Sequence, residues 1–272
     1  MRMKKMQMPA RYFRAAALSA GVAVLLSACA SGPRDNISMI PGDQIAQQTS
    51  KEGVFTQPVK WDRKKPGCSG DCPEIKVDSL VFPGMPKLTK LVDYALAVMT
   101  GVNDDHAHPY SSLAEYETYF WKIAAPRDST VFSAKTPYRN KSLTVAELNT
   151  WQYFTGAAHG ISATQFLNWD NAKEKVLGLN DVLAPGKHDA YVAALKQAHA
   201  KWLTTNPDAK ADPVTYNRIW PFQPSDNFAF SDAGLVVKYN SYEIAPYSSG
   251  QPELLIPYAD LQGVLKPEYL PS

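Results

Sequence analysis

Three stretches rich in β-branched and aromatic residues follow one another with only a turn between them. They are residues 129–140 (STVFSAKTPYRN), 142–156 (SLTVAELNTWQYFTG) and 161–170 (ISATQFLNWD). Gaps this short hold no crossover, so the three strands must pair antiparallel. The rest of the chain groups its elements in the same way. A β-run at 75–83 ends on Pro83. Residues 86–101 place Leu88, Leu91, Val92, Ala95, Leu96 and Met99 at helical spacing and stop at Gly101. Residues 111–125 repeat the pattern with Leu113, Tyr116, Phe120 and Ile123, and Ser112 followed by Glu115 has capping-box spacing. A longer helix is predicted over 186–207, with Tyr191, Leu195, Ala198 and Trp202 on one face and Pro207 at its end. Strand-like runs return at 226–232, 234–244 and 252–258, and residues 258–265 read as a short closing helix. Helices and strands are clustered rather than alternating. The predicted class is α+β, an antiparallel β-sheet packed against a few helices.

The first residues are set aside as an address. Arg2, Lys4, Lys5, Arg11 and Arg14 precede an apolar run at 15–28 that is too short to span a bilayer comfortably. The run ends in Leu26-Ser27-Ala28-Cys29, which resembles the lipobox of bacterial lipoproteins. That resemblance implies cleavage before Cys29, acylation of Cys29 and attachment to a lipid bilayer by more than one chain. Ala rather than Asp at position 30 resembles an outer-membrane address, facing the periplasm. The expected organisation is a signal peptide over 1–28 and a polar tether over 29–55. A half with one strand, two helices and the cysteine pair follows over 56–140, then a second α+β half over 141–272.

Charge follows from this division. The whole chain carries 28 basic and 26 acidic residues, but five of the basic ones and none of the acidic ones precede Cys29. The segment from Cys29 onward is therefore weakly acidic, which argues against a nucleic-acid partner. Within it, Cys68 and Cys72 lie in GCSGDCP. An even pair this close in an oxidising compartment reads as a disulfide. Zinc is the alternative, but no second Cys or His pair stands at a matching distance.

Few groups carry chemistry. NDDHAHPY (103–110) gathers Asp104, Asp105, His106 and His108, yet two histidines at i and i+2 converge poorly on one ion. FTGAAHGIS (154–162) brackets His159 between Gly156 and Gly160, small residues that let a loop present the imidazole sharply. Nucleophile elbows, zincin motifs, P-loops and dinucleotide fingerprints are all missing from the sequence. No catalytic residue, metal ligand or cofactor is expected.

Two longer stretches carry a resemblance. TGAAHGISATQFLNWDNAKEKVLGLNDVL (155–183) and NFAFSDAGLVVKYNSYEIAPYSSGQPELLIPYADL (227–261) resemble the C-terminal domain of RsiV, a lysozyme-sensing anti-sigma factor, a domain found also in the deacetylase PdaC. The resemblance implies an extracytoplasmic, non-catalytic α+β domain whose partner is lysozyme or another cell-wall lytic enzyme. RsiV's sigma-binding segment and membrane helix have no counterpart here, and neither does the deacetylase domain of PdaC. The predicted hairpin pairs residues 242–247 with residues 253–258 and turns at Ser248-Ser249-Gly250. Pro246 and Pro252 donate no ladder hydrogen bond and stiffen that turn. Stiff loops lose little entropy on docking, and tyrosine gives contact area with few rotamers. The candidate partner-binding residues are therefore His159, Gly160, Pro246, Tyr247, Ser248 and Ser249. A polysaccharide-binding envelope protein and a hydrolase built on His159 are the alternatives.

Overall fold

The computed structural model describes residues 56–101 and 110–271. Cys29 and the Asp104–His108 cluster lie outside the described residues. The fold is α+β, with a six-stranded sheet, a three-stranded sheet and six helices among the described residues.

The larger sheet is ordered β1-β2-β3-β4-β5-β6. Its strands are β1 (Gln57–Lys64), β2 (Glu74–Val81), β3 (Ser129–Arg139), β4 (Leu143–Tyr153), β5 (Ile161–Asp170) and the two-residue β6 (Lys175–Val176). The run β3-β4-β5 pairs antiparallel, as the short turns require. One pair departs from the expected antiparallel pattern: β2 and β3 are parallel. The reason lies between them. Helices α1 (Pro86–Val98) and α2 (Leu113–Ile123) occupy the connection, and a parallel neighbour needs such a crossover. β1 was not legible as a strand. It is an exposed edge of alternating charge, QPVKWDRK, with no continuous apolar face to announce it. The Cys68–Cys72 disulfide closes the turn from β1 to β2, with the two Cα atoms 5.8 Å apart.

Helix α2 begins much as its sequence suggests. The Ser112 side chain accepts from the Glu115 amide at 3.2 Å, while the Glu115 carboxylate reaches back one residue further, to the amide and hydroxyl of Ser111. Both helices lie on one face of the sheet. Leu88, Val92, Leu96, Tyr116 and Phe120 meet Ile75, Val77, Phe132 and Leu148 in one buried cluster.

The second sheet is formed by β7 (Phe228–Phe230), β8 (Gly234–Lys238) and β9 (Glu253–Pro257), in that order and antiparallel. It shares a core with the other face of the large sheet and with α4 (His188–Leu203). That core joins Leu143, Val145 and Phe166 to Leu235, Val237, Leu254 and Ile256, with Tyr191 and Leu195 from α4. The short helices α3 (Leu179–Val182), α5 (Pro207–Ala211) and α6 (Pro213–Ile219) complete the chain order, together with 3₁₀ turns. Asn206 and Asp212 cap α5 and α6 through their side chains, and a proline stands at the first turn of each. The predicted closing helix is reduced to a 3₁₀ turn over Tyr258–Leu261.

Side-chain amides join the two sheets. Asn168 on β5 donates to the Phe228 carbonyl at 2.7 Å and accepts from the Phe230 amide at 3.1 Å, standing in for a strand partner of β7. Asn227 treats β5 likewise, accepting from Phe166 N at 2.7 Å and donating to the Thr164 carbonyl at 3.3 Å. Asn240 accepts from Thr164 N at 2.8 Å. Beside these lies a buried ion pair, Lys238 Nζ to Glu147 Oε1 at 2.7 Å, linking β8 to β4.

Candidate functional site

The predicted hairpin is not formed as drawn. β9 pairs with β8, and residues 242–247 are not a strand. The physical reason is that Ile244 and Ala245 are buried, which pulls the middle of the segment into the core and breaks the strand alternation. Residues 239–252 instead form one compact connection. Tyr239 N bonds the Pro252 carbonyl at 2.9 Å at its neck, and the Ser241 hydroxyl bonds the Gly250 carbonyl at 3.0 Å. A 3₁₀ turn covers Tyr247–Ser249 after Pro246.

Burial of Ile244 and Ala245 forces their neighbours outward. Tyr242 adopts φ +73°, a left-handed conformation that a bulky side chain rarely takes, and its side chain is 51 % exposed. The Tyr242 amide bonds the Ala245 carbonyl at 3.0 Å, closing the turn that holds it there. Tyr247 is half-buried and Ser248 is exposed at the tip.

His159 arrives from the turn between β4 and β5. That turn is held from below, since the Thr155 amide donates to Asp128 Oδ1 at 2.7 Å. Gly156 has φ +97°. Gly160 packs so closely on the Trp151 side chain that a Cβ there would lie 2.3 Å from indole atoms. The Asn240 bond to β5 brings the 239–252 connection over this turn.

Two segments remote in sequence thus meet. The imidazole of His159 stacks on Tyr247 with centroids 4.2 Å apart. His159 Nδ1 lies 2.9 Å from the Gly160 carbonyl, and Nε2 lies 3.0 Å from the Tyr242 hydroxyl. A carbonyl only accepts, so Nδ1 carries the proton, and in the neutral ring Nε2 accepts from Tyr242. Trp220, just beyond α6, stacks on Tyr242 with centroids 6.2 Å apart, and its neighbour Ile219 is 54 % exposed. Phe154 and Ile161 are also exposed.

The arrangement favours contact over catalysis. Both imidazole nitrogens are taken, and neither partner is a carboxylate or a nucleophile oriented by one. Of the sequence candidates, His159, Gly160, Pro246, Tyr247, Ser248 and Ser249 come to one region. Tyr242 and Trp220 were missed, because nothing in Asn-Ser-Tyr-Glu marks a tyrosine at positive φ. His199, on α4, is buried against Trp202 and Phe222, and burial holds its imidazole below its usual range. Among the described residues, no group of three His, Cys, Asp or Glu side chains converges as a metal site. No described helix is long and apolar enough to cross a membrane.

Residues 180–259 match the model of a protein family of unknown function, DUF3298. The fold is similar to the crystal structure of a DUF3298 family protein from Pseudomonas aeruginosa PAO1. The two chains are 35% identical over 80% of this chain and 97% of that one, with a TM-score of 0.74. The chain belongs to the DUF3298 family. A DUF3298 member from Bacteroides fragilis NCTC 9343 shares the fold, at 22% identity, 78% and 94% coverage and a TM-score of 0.59. No curated protein matches the chain. The DUF3298 segment holds α4, the second sheet and the Tyr242–Tyr247 connection, and it ends before the last 3₁₀ turn. His159 lies outside it, so the aromatic surface joins the matched segment to the β4–β5 turn.

Proposed function

We propose that this DUF3298 protein is a lipid-anchored, non-catalytic binding protein of the bacterial envelope that docks a protein partner on the His159–Tyr242–Tyr247 surface. The observation carrying the reading is Tyr242. A tyrosine held at φ +73°, half exposed, bonded to one aromatic neighbour and stacked on another, is a rigid contact surface set up in advance. Anchors of this kind give most of the energy in protein interfaces. The resemblance to RsiV suggests the partner class, lysozyme or another cell-wall lytic enzyme. The lipobox-like Leu26–Cys29 suggests acylation at Cys29 and an outer-membrane location facing the periplasm.

Titration of the purified protein with lysozymes of several types tests the partner. Binding is expected, with Tyr242→Ala and Tyr247→Ala each weakening it at least about tenfold, or about 1.4 kcal/mol. Absence of binding and inhibition with every lysozyme overturns the partner class. Binding that ignores both substitutions overturns the surface. For the anchor, growth with a labelled fatty acid should mark the protein, and Cys29→Ser should abolish the label.

A further inference from the structure

β4 has two ends, and the aromatic surface uses only one. At the Leu143 end, roughly 33 Å away along a strand of 11 residues at ~3.3 Å per residue, the structure holds a cavity of about 470 Å³. Its walls come from the turns leaving β3, β5 and β7 and from the C-terminal segment. We propose that this cavity is a binding site for a neutral pyranoside, one or two sugar rings of a glycan.

Two kinds of group and the charge balance support that class. Tyr138, Tyr258 and Tyr269 line the cavity and are each only partly buried, so phenol rings form part of its wall. Their orientation is fixed. Tyr138 accepts from Asn140 Nδ2 at 2.9 Å, Tyr258 donates to the Ser231 carbonyl at 3.0 Å, and Tyr269 lies against the Phe230 ring at 5.6 Å. Flat apolar faces of this kind suit the C–H face of a pyranose.

Carboxylates supply the second kind. Asp170 is buried and already engaged. Its Oδ1 accepts from the amides of Ala172 and Lys173, and its Oδ2 lies 3.2 Å from Lys173 Nζ. Burial alone would push its carboxyl up, but these partners hold it below the usual carboxylate range. Asp232 differs, since no described residue hydrogen-bonds its carboxylate. It stands exposed at the cavity mouth, where partial desolvation pushes its carboxyl above the usual value. An acceptor pair left open beside phenol rings is suited to two neighbouring sugar hydroxyls. Glu268 adds a further acceptor on the exposed rim.

The third consideration is charge. Lys173 is spent on Asp170, so Asp232 and Glu268 leave the cavity acidic and disfavour phosphate or uronate ligands. The volume falls in the range of small-molecule sites. The lining mixes rings with a few fixed polar groups, which is how such sites set orientation. This inference does not rest on the protein-docking reading, because the two sites share no residue.

The test is saturation-transfer NMR and calorimetric titration of the full-length protein with cellobiose and N,N′-diacetylchitobiose. Saturable binding of at least one disaccharide is expected. Asp232→Asn, in an exposed turn that tolerates the change, should weaken it at least about tenfold, and Tyr269→Ala should weaken it too. His159→Ala should leave it unchanged. No saturable transfer from either disaccharide up to about 10 mM overturns the proposal. Unaltered affinity in folded Asp232→Asn also overturns it. Loss of disaccharide binding in His159→Ala would move the sugar to the aromatic surface and equally refute the assignment.

Discussion

Lys238 offers the sharpest test of how the two sheets are held together. It sits on β8 with its side chain 9 % exposed. It bonds Glu147 on β4, 5 % exposed, at 2.7 Å, and Glu253 on β9 at 2.9 Å. Lys135 holds the other Glu147 oxygen at 3.0 Å from the surface. Burial pushes the Glu147 carboxyl up, but bonds from Lys238 and Lys135 outweigh it, so the folded value lies below the ordinary one of 4.5. Burial likewise pulls the Lys238 ammonium down, and its two carboxylate partners outweigh that, leaving it above 10.5. The stabilisation from Glu147 is therefore present above pH ~4.5 and lost as pH falls through the folded value. That from Lys238 is present below ~10.5 and lost as pH rises past its folded value. Lys238→Met leaves the buried carboxylate with Lys135 and with the Asn149 amide, which donates to Glu147 Oε1 at 3.2 Å. Breaking a buried pair from one side costs ~3–5 kcal/mol, and the surviving Lys135 contact places this case near the lower end, ~3 kcal/mol at pH 7. At pH 4, where the stranded carboxyl takes up a proton, the loss should fall to about 1 kcal/mol. Glu147→Gln combined with Lys238→Met should recover much of the pH 7 loss. Urea unfolding of the wild-type protein and the two variants at both pH values measures all of this. A loss below ~1 kcal/mol at pH 7, or one that does not change with pH, would refute the reasoning.

Asn168→Ala removes both bonds to β7 at a buried position and should cost ~3 kcal/mol by the same unfolding assay. Gly160→Ala drives a methyl into the Trp151 indole; a loss of ~1–3 kcal/mol is expected, with a shift in tryptophan emission as the ring is displaced. Tyr242→Asn places a residue tolerant of positive φ at that turn, so stability should hold or rise by up to ~1 kcal/mol while partner binding falls. A Tyr242→Asn protein that unfolds more easily and still binds would separate the strain from the function in the wrong direction.

What was readable in the sequence were the elements with strong local periodicity. Helix α4 showed its Tyr191 and Leu195 stripe, and both residues are buried. The β3-β4-β5 run announced itself through turn spacing. What stayed hidden depended on contacts remote in the chain. β1 is a strand only because β2 pairs with it, and its sequence has no face to bury. The parallel β2–β3 pair follows from two helices being needed as a crossover, a fact that no window of ten residues contains. Around 242–247 the β-propensity of the tyrosines and Ile244 suggested a strand, and tertiary burial of Ile244 and Ala245 overrode it. His159 was singled out by its flanking glycines. Its stacking on Tyr247 is set by Asn240 reaching across to β5, which no local pattern encodes.

The strain at Tyr242 persists because the connection is held at several points. Ile244 and Ala245 are buried beneath it, Asn240 ties it to β5, and Tyr239 closes the neck to Pro252. A loop held only at its ends would relax a tyrosine at φ +73° into an ordinary turn, at a gain of order 1 kcal/mol. The same holds reduce the motion left to lose when a partner arrives, since Tyr242, Tyr247 and His159 already restrict one another by stacking and a hydrogen bond. Rigidity and exposure together distinguish this surface from the rest of the fold. The large aromatics Tyr191, Tyr239 and Phe230 are buried, whereas Val214 is exposed but is not aromatic and has no ring to stack. Only near His159 do ring stacking, positive φ and exposure coincide among the described residues, and that coincidence is what the proposed docking role of Tyr242 rests on.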